Sequence, residues 1–116
     1  MIRKHKNKRI YLIDIDGTVC EDIPNEEAHR FSEASVIPGS LEKILRLKDE
    51  GNIITFFTAR TFEHAEVTED WLNKNGFPFE SVCYGKPRSK DGYVYHWADN
   101  MPVESSFCPH GFVEDE

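Results

Sequence analysis

Residues 10–18 read IYLIDIDGT. The first six are apolar except for Asp14, and they are rich in β-branched and aromatic side chains, the composition of a short buried strand. Gly17 breaks the run. The informative feature is the acid inside it. An unpaired carboxylate buried among apolar neighbours costs several kcal/mol, so buried acids are paired or bound to metal. Asp14, and Asp16 two residues on, are therefore read as site residues in preference to turn residues.

Working outward, residues 53–57 (IITFF), 81–84 (SVCY) and 93–98 (YVYHWA) read as three further strands. Pro38-Gly39-Ser40 opens a helix with Ser40 as N-cap, an apolar stripe of Leu41, Ile44 and Leu45, and Gly51 at its end. A second helix covers 62–75, with Ala65, Thr68, Trp71 and Leu72 on one face. Gly76 stops it and Pro78 cannot lengthen it. Residues 18–38 hold no clean period and contain Pro24 and Pro38, so they read as a long loop or small flap. Loops of that length in a compact domain are usually functional. Strands alternating with helices predict an α/β fold, Rossmann-like and three-layered, with a mainly parallel sheet. The expected organisation is a basic arm over 1–9, one domain over 10–102 and a coil tail over 103–116.

Composition sets limits on the partners. The chain has 116 residues with 39% hydrophobic and 30% charged side chains, which suits one globular domain and excludes wholesale disorder. A net charge of -7 argues against a nucleic-acid groove, which needs a basic face. It does not oppose a small phosphorylated substrate, because a bound divalent cation can reverse the local field. Arg3, Lys4, Lys6, Lys8 and Arg9 read as a solvated arm, or else as a contact to an acidic partner or nucleic acid, at the end of the first strand opposite Asp14. No stretch approaches a membrane span. Cys20, Cys83 and Cys108 form no C-x-x-C pair, and an odd count is a poor disulfide framework, so a reducing, cytoplasmic setting is expected.

In a parallel sheet the reactive groups lie beyond the carboxyl ends of the strands. Polar elements follow all four predicted strands: Asp14-Ile15-Asp16-Gly17-Thr18, then Thr58-Ala59-Arg60, then Gly85-Lys86-Pro87, then Asp99-Asn100. Together they suit phosphoryl transfer. A carboxylate attacks a phosphate ester only when the ester's charge is neutralised, and magnesium held by hard oxygens does this. Lys86 adds a point charge and Thr58 a neutral donor. Asp16 can protonate the leaving oxygen and later activate water. Gly17 lets backbone N–H groups approach the phosphate.

DIDGT after an apolar strand resembles the first motif of the haloacid dehalogenase superfamily of phosphatases. FFTAR resembles its second motif, GKP its lysine motif and YHWADN its acidic fourth motif, all in order over residues 8–102. The resemblance implies that Asp14 is the nucleophile, forming an aspartyl phosphate, and that Asp16 is the acid and base. It implies that Gly17, Thr18, Thr58, Ala59, Arg60 and Lys86 contact the substrate, and that Asp14, the Asp16 carbonyl and Asp99 bind Mg2+. Asn100 departs from the pattern, which often has a second acid there. Thr18 to Val36 is too short for a folded cap, so the chain resembles the capless type, which either oligomerises or takes bulky substrates. The expected activity is hydrolysis of a phosphomonoester such as a sugar phosphate. The rivals are a phosphotransferase or phosphomutase, and a non-catalytic phosphate-binding module. Arg60 either touches substrate or pairs with an acid of the flap such as Glu21 or Asp22. His96 reads as a packing residue, and His29, Arg30 and Phe31 as contacts to a substrate or a neighbouring chain.

Overall fold

The computed structural model describes residues 8–88, 90–96, 98 and 100. Its frame is a sheet of three parallel strands in the order β1-β2-β3: β1 Ile10–Ile13, β2 Ile53–Phe57 and β3 Ser81–Cys83. Ile13 pairs with Phe56, and Phe56 with Val82, so these side chains share one face. The crossovers are α1 (Ser40–Asp49) and α2 (Ala65–Lys74). Right-handed crossovers that step the same way along a sheet lie on the same face. Ile44 and Leu47 of α1, and Trp71 and Leu72 of α2, accordingly join Ile13, Ile54 and Phe56 in one core. Each such side chain contributes roughly 1.5–3 kcal/mol through burial. The Phe77 ring stacks on Trp71 at 5.6 Å and meets Phe56 edge-on at 6.3 Å.

The parallel α/β architecture is the one expected from sequence. The described residues supply two of its layers, and Ile10, Leu12 and Ile53 on the opposite face are exposed. No helix among the described residues is long and apolar enough to cross a membrane.

Several elements differ from expectation. The long loop expected over 18–38 contains a 3-10 segment, Asn25–Glu33, and it is packed inward, with Val19, Cys20, Ile23 and Phe31 fully buried. Its apolar residues are irregularly spaced because 3-10 turns and bends do not repeat every 3.6 residues. Gly39, not Ser40, caps α1, and the Ser40 hydroxyl donates back to Ile37 O at 2.8 Å. Leu47 takes the core position expected of Leu45, which is exposed. The second helix begins as a 3-10 turn, Phe62–His64. Residues 93–96 form no strand, and Tyr93, Val94, Tyr95 and His96 are exposed. Alternating Tyr93 and Tyr95 fit a half-buried strand, but the Tyr93 N–H donates to Lys90 O at 2.9 Å and closes a turn. Trp97, most of the arm and the 103–116 tail lie outside the described residues.

Candidate active site

β1 ends at Ile13, so Asp14 opens the turn instead of closing the strand. The Ile15 carbonyl accepts from the N–H groups of Thr18, Val19 and Cys20 at 3.0 to 3.3 Å. That winds the chain tightly around Gly17, whose φ of 84° only glycine adopts without strain. The same turn occupies the amides expected to approach phosphate: Gly17 N donates to Cys20 O at 2.8 Å and Thr18 N to Ile15 O at 3.0 Å. Thr18 itself is nearly buried. The turn therefore positions the two acids and offers no open amide at these two residues.

Asp14 is half-buried. Its Oδ1 accepts from Ile15 N at 2.8 Å, and Lys86 Nζ lies 3.6 Å from its Oδ2. Burial raises the Asp14 carboxyl above its ordinary value of 3.8, against the opposing pull of Lys86 and of the Ile15 amide. The Lys86 ammonium also stands 5.6 Å from the Phe57 ring centroid and 5.2 Å from that of Tyr95, close enough for cation–π attraction. The Tyr95 hydroxyl donates to Pro87 O, which ties that ring to the lysine loop.

Thr58 follows β2 directly and is fully buried. Its hydroxyl accepts from the Arg60 backbone N–H at 3.1 Å, which leaves its own proton to donate. Its amide donates to Cys83 O, and its carbonyl accepts from Lys86 N, both at 2.9 Å. Ala59 O accepts from Asn25 Nδ2 at 3.3 Å, so the 3-10 segment is pinned to this loop.

Arg60 pairs with an acid, though not with Glu21 or Asp22. Its side chain is buried, and its partner is Asp16. Nε donates to Asp16 Oδ2 at 3.0 Å and Nη2 to Asp16 Oδ1 at 2.8 Å, while Nη1 donates to Thr68 Oγ1 at 3.0 Å. The guanidinium carbon sits 3.7 Å from the centroid of the Phe31 ring. Glu21 pairs with Arg30, so it is not available to Arg60. Phe31, read as an outward contact, is the floor under this guanidinium. Thr68 and Cys20, whose thiol lies 3.7 Å from Asp16 Oδ1, were missed as site neighbours, and no local signal in the sequence marks them.

The sheet thus brings Asp14, Asp16, Thr58, Arg60 and Lys86 together at one end. Asp99 lies outside the described residues. Among the described residues no three acidic, His or Cys side chains converge as a metal cage. Magnesium needs no such cage, since it takes one or two carboxylates with waters and substrate oxygens. The hard-oxygen donors at Asp14 and Asp16 fit that demand. A hollow of about 380 Å³ lies elsewhere, lined by Glu63, Glu66, Asp70 and Trp71 among others, and its carboxylates would repel a phosphate.

No protein-family model matches the chain. In fold it is an α/β domain similar to an MCSG target protein from Vibrio cholerae, with a TM-score of 0.60 at 20% identity over 77% of this chain and 78% of that one. It is also similar to D,D-heptose 1,7-bisphosphate phosphatase from B. bronchiseptica, solved with magnesium and phosphate, with a TM-score of 0.55 at 20% identity over 74% and 54% of the two chains. In sequence it is 42% identical over 48 residues to a "Putative nucleotidase" of Oceanobacillus iheyensis, covering 41% of this chain and 26% of that protein. It is 32% identical over 68 residues to a "Putative 5'(3')-deoxyribonucleotidase" of Chlorobaculum tepidum, covering 53% and 34%. A "Putative nucleotidase" of Bacillus cereus is 38% identical over 79 residues, covering 66% and 40%. The chain spans less than half the length of these curated relatives. In sequence the chain is thus similar to proteins named as nucleotidases, and in fold to a phosphatase solved with magnesium and phosphate.

Proposed function

We propose that this chain hydrolyses small phosphate monoesters, with Asp14 as the nucleophile. The observation that carries the reading is the half-buried Asp14 carboxylate with the Lys86 ammonium 3.6 Å away, both just beyond the ends of parallel strands. An acid so placed has no structural need to be there, and a lysine beside it supplies the charge that an incoming phosphoryl group requires. Thr58, whose hydroxyl accepts from the Arg60 amide and can donate its own proton, and Lys86 hold the phosphoryl oxygens. Asp14 attacks phosphorus, Asp16 gives a proton to the leaving oxygen, and Asp16 then takes a proton from the water that releases phosphate from Asp14.

Magnesium would be held by Asp14, the Asp16 carbonyl and Asp99, and would neutralise charge on the phosphoryl oxygens. The heptose bisphosphate phosphatase solved with magnesium and phosphate supports this. Sugar phosphates remain the leading substrate class, and the relatives' names add nucleoside monophosphates. The unpaired thiols of Cys20 and Cys83 support a reducing, cytoplasmic setting. The test is hydrolysis of p-nitrophenyl phosphate and of a metabolite panel, with magnesium and with chelator. Metal-dependent turnover is expected in the parent. No turnover of any ester would sink the proposal.

A further inference from the structure

A guanidinium leaves water at a large cost, recovered only when its donors are met and its charge is paired. Arg60 satisfies both conditions with groups from separate elements. Thr68 on α2 holds Nη1, Phe31 of the 3-10 segment lies against the guanidinium plane, and Asp16 in the turn after β1 accepts from Nε and Nη2. A lone carboxylate rotates about its side-chain bonds. A planar fork that bonds both oxygens, and is itself held on a ring and a hydroxyl, fixes the plane of that carboxylate. Asp16 Oδ1 also accepts from the Cys20 thiol at 3.7 Å, whereas Oδ2 accepts from Arg60 Nε and keeps a lone pair to act with. The side chain retains 10% of its exposure, whereas Arg60 retains 1%.

We infer that Arg60 is a positioning residue for the hydrolytic reaction, setting the orientation in which the Asp16 carboxyl meets the leaving oxygen. The inference rests on the phosphatase reading of Asp14 and Asp16. In the first half-reaction the bond from Asp14 to phosphorus forms as the bond from phosphorus to the leaving oxygen breaks, and that oxygen takes the Asp16 proton. In the second, water attacks phosphorus, gives its proton to Asp16, and the bond to Asp14 breaks. Arg60 enters neither bond change and acts through Asp16. An alkoxide leaves poorly without a proton, whereas nitrophenolate departs without one. A misaligned Asp16 therefore slows alkyl esters more than aryl esters.

The experiment compares kcat and KM of the parent, Arg60→Lys and Thr68→Val on p-nitrophenyl phosphate and on β-glycerol phosphate. Arg60→Lys keeps the charge and loses the fork. The expected result is a rise of about 10-fold or more in the ratio of aryl to alkyl kcat in Arg60→Lys, a smaller rise in Thr68→Val, and KM held within about twofold. In an Asp16→Ala background, Arg60→Lys should leave the ratio unchanged. Equal loss on both esters, or an effect confined to KM, would overturn the inference while leaving hydrolysis by the parent intact. If Arg60→Lys fails to fold, an unchanged ratio in Thr68→Val overturns it alone. Parent protein silent on both esters would remove the phosphatase reading and this inference with it.

Discussion

Asp14 and Asp16 stand two residues apart, and each faces a cation, yet the two pairs are built on different principles. Lys86 and Asp14 are 3.6 Å apart, with 20% and 39% of their side chains exposed. Arg60 and Asp16 meet at 2.8 Å, with 1% and 10% exposed. The first pair is loose and wet, and a phosphoryl group can replace the carboxylate as the lysine's partner without disturbing the core. The second is a bidentate pair wedged between α2 and the 3-10 segment, so it moves only if those elements move. On the proposed reading, the fold thus separates what would change partners during a reaction from what would stay still.

The largest test of this contrast is Asp14→Asn, expected to lower hydrolysis by about 10⁴-fold or more while the chain stays folded, read by turnover and circular dichroism. Next comes stability. Urea unfolding should show Arg60→Leu losing about 3–5 kcal/mol, because it strands a buried carboxylate. Lys86→Ala should lose less than about 1 kcal/mol, as for exposed pairs. Equal costs would dissolve the distinction.

A subtler test uses pH. Burial raises the Asp14 carboxyl above 3.8, so the folded, metal-free chain binds that proton more tightly than the unfolded chain. The resulting stability is fully present below the unfolded value and is lost as pH rises through the folded one. Asp14→Asn should therefore melt at a higher temperature than the parent at neutral pH in chelator, with the gap closing below about pH 3.8. A gap that widens in acid would contradict this. The smallest effect concerns the thiols. Burial, then the Asp16 charge, pushes Cys20 up to about 12, whereas Cys83 is exposed. Iodoacetamide in mildly alkaline buffer should label Cys83 well before Cys20, by peptide mapping. Equal rates would mean that the Asp16 pocket is open.

Legibility in the sequence followed local chemistry. The strands at 10–13, 53–57 and 81–83 announce themselves as short apolar runs, and the motif acids stand out because a charge inside such a run demands a reason. The partner of Arg60 could not be read, because Asp16 is 44 residues away and Glu21 and Asp22 were equally plausible by charge. Burial decided among them. The 3-10 segment was hidden for a different reason: its apolar residues face a core built by other elements, so they follow no period of their own. The aromatic alternation at 93–95 misled because the period of two is also satisfied by exposed tyrosines.

The hydrogen bonds from Thr58 N to Cys83 O, from Lys86 N to Thr58 O and from Gly85 N to Arg60 O carry the ladder past the ends of β2 and β3. Thr58 and Lys86 therefore ride on one stiff bracket, and Arg60 on the same bracket bolts down the turn that bears Asp14 and Asp16. Any gripping motion around a substrate must then come from the Lys86 side chain, and rigid groups of differing width would be sorted by how far that side chain can yield.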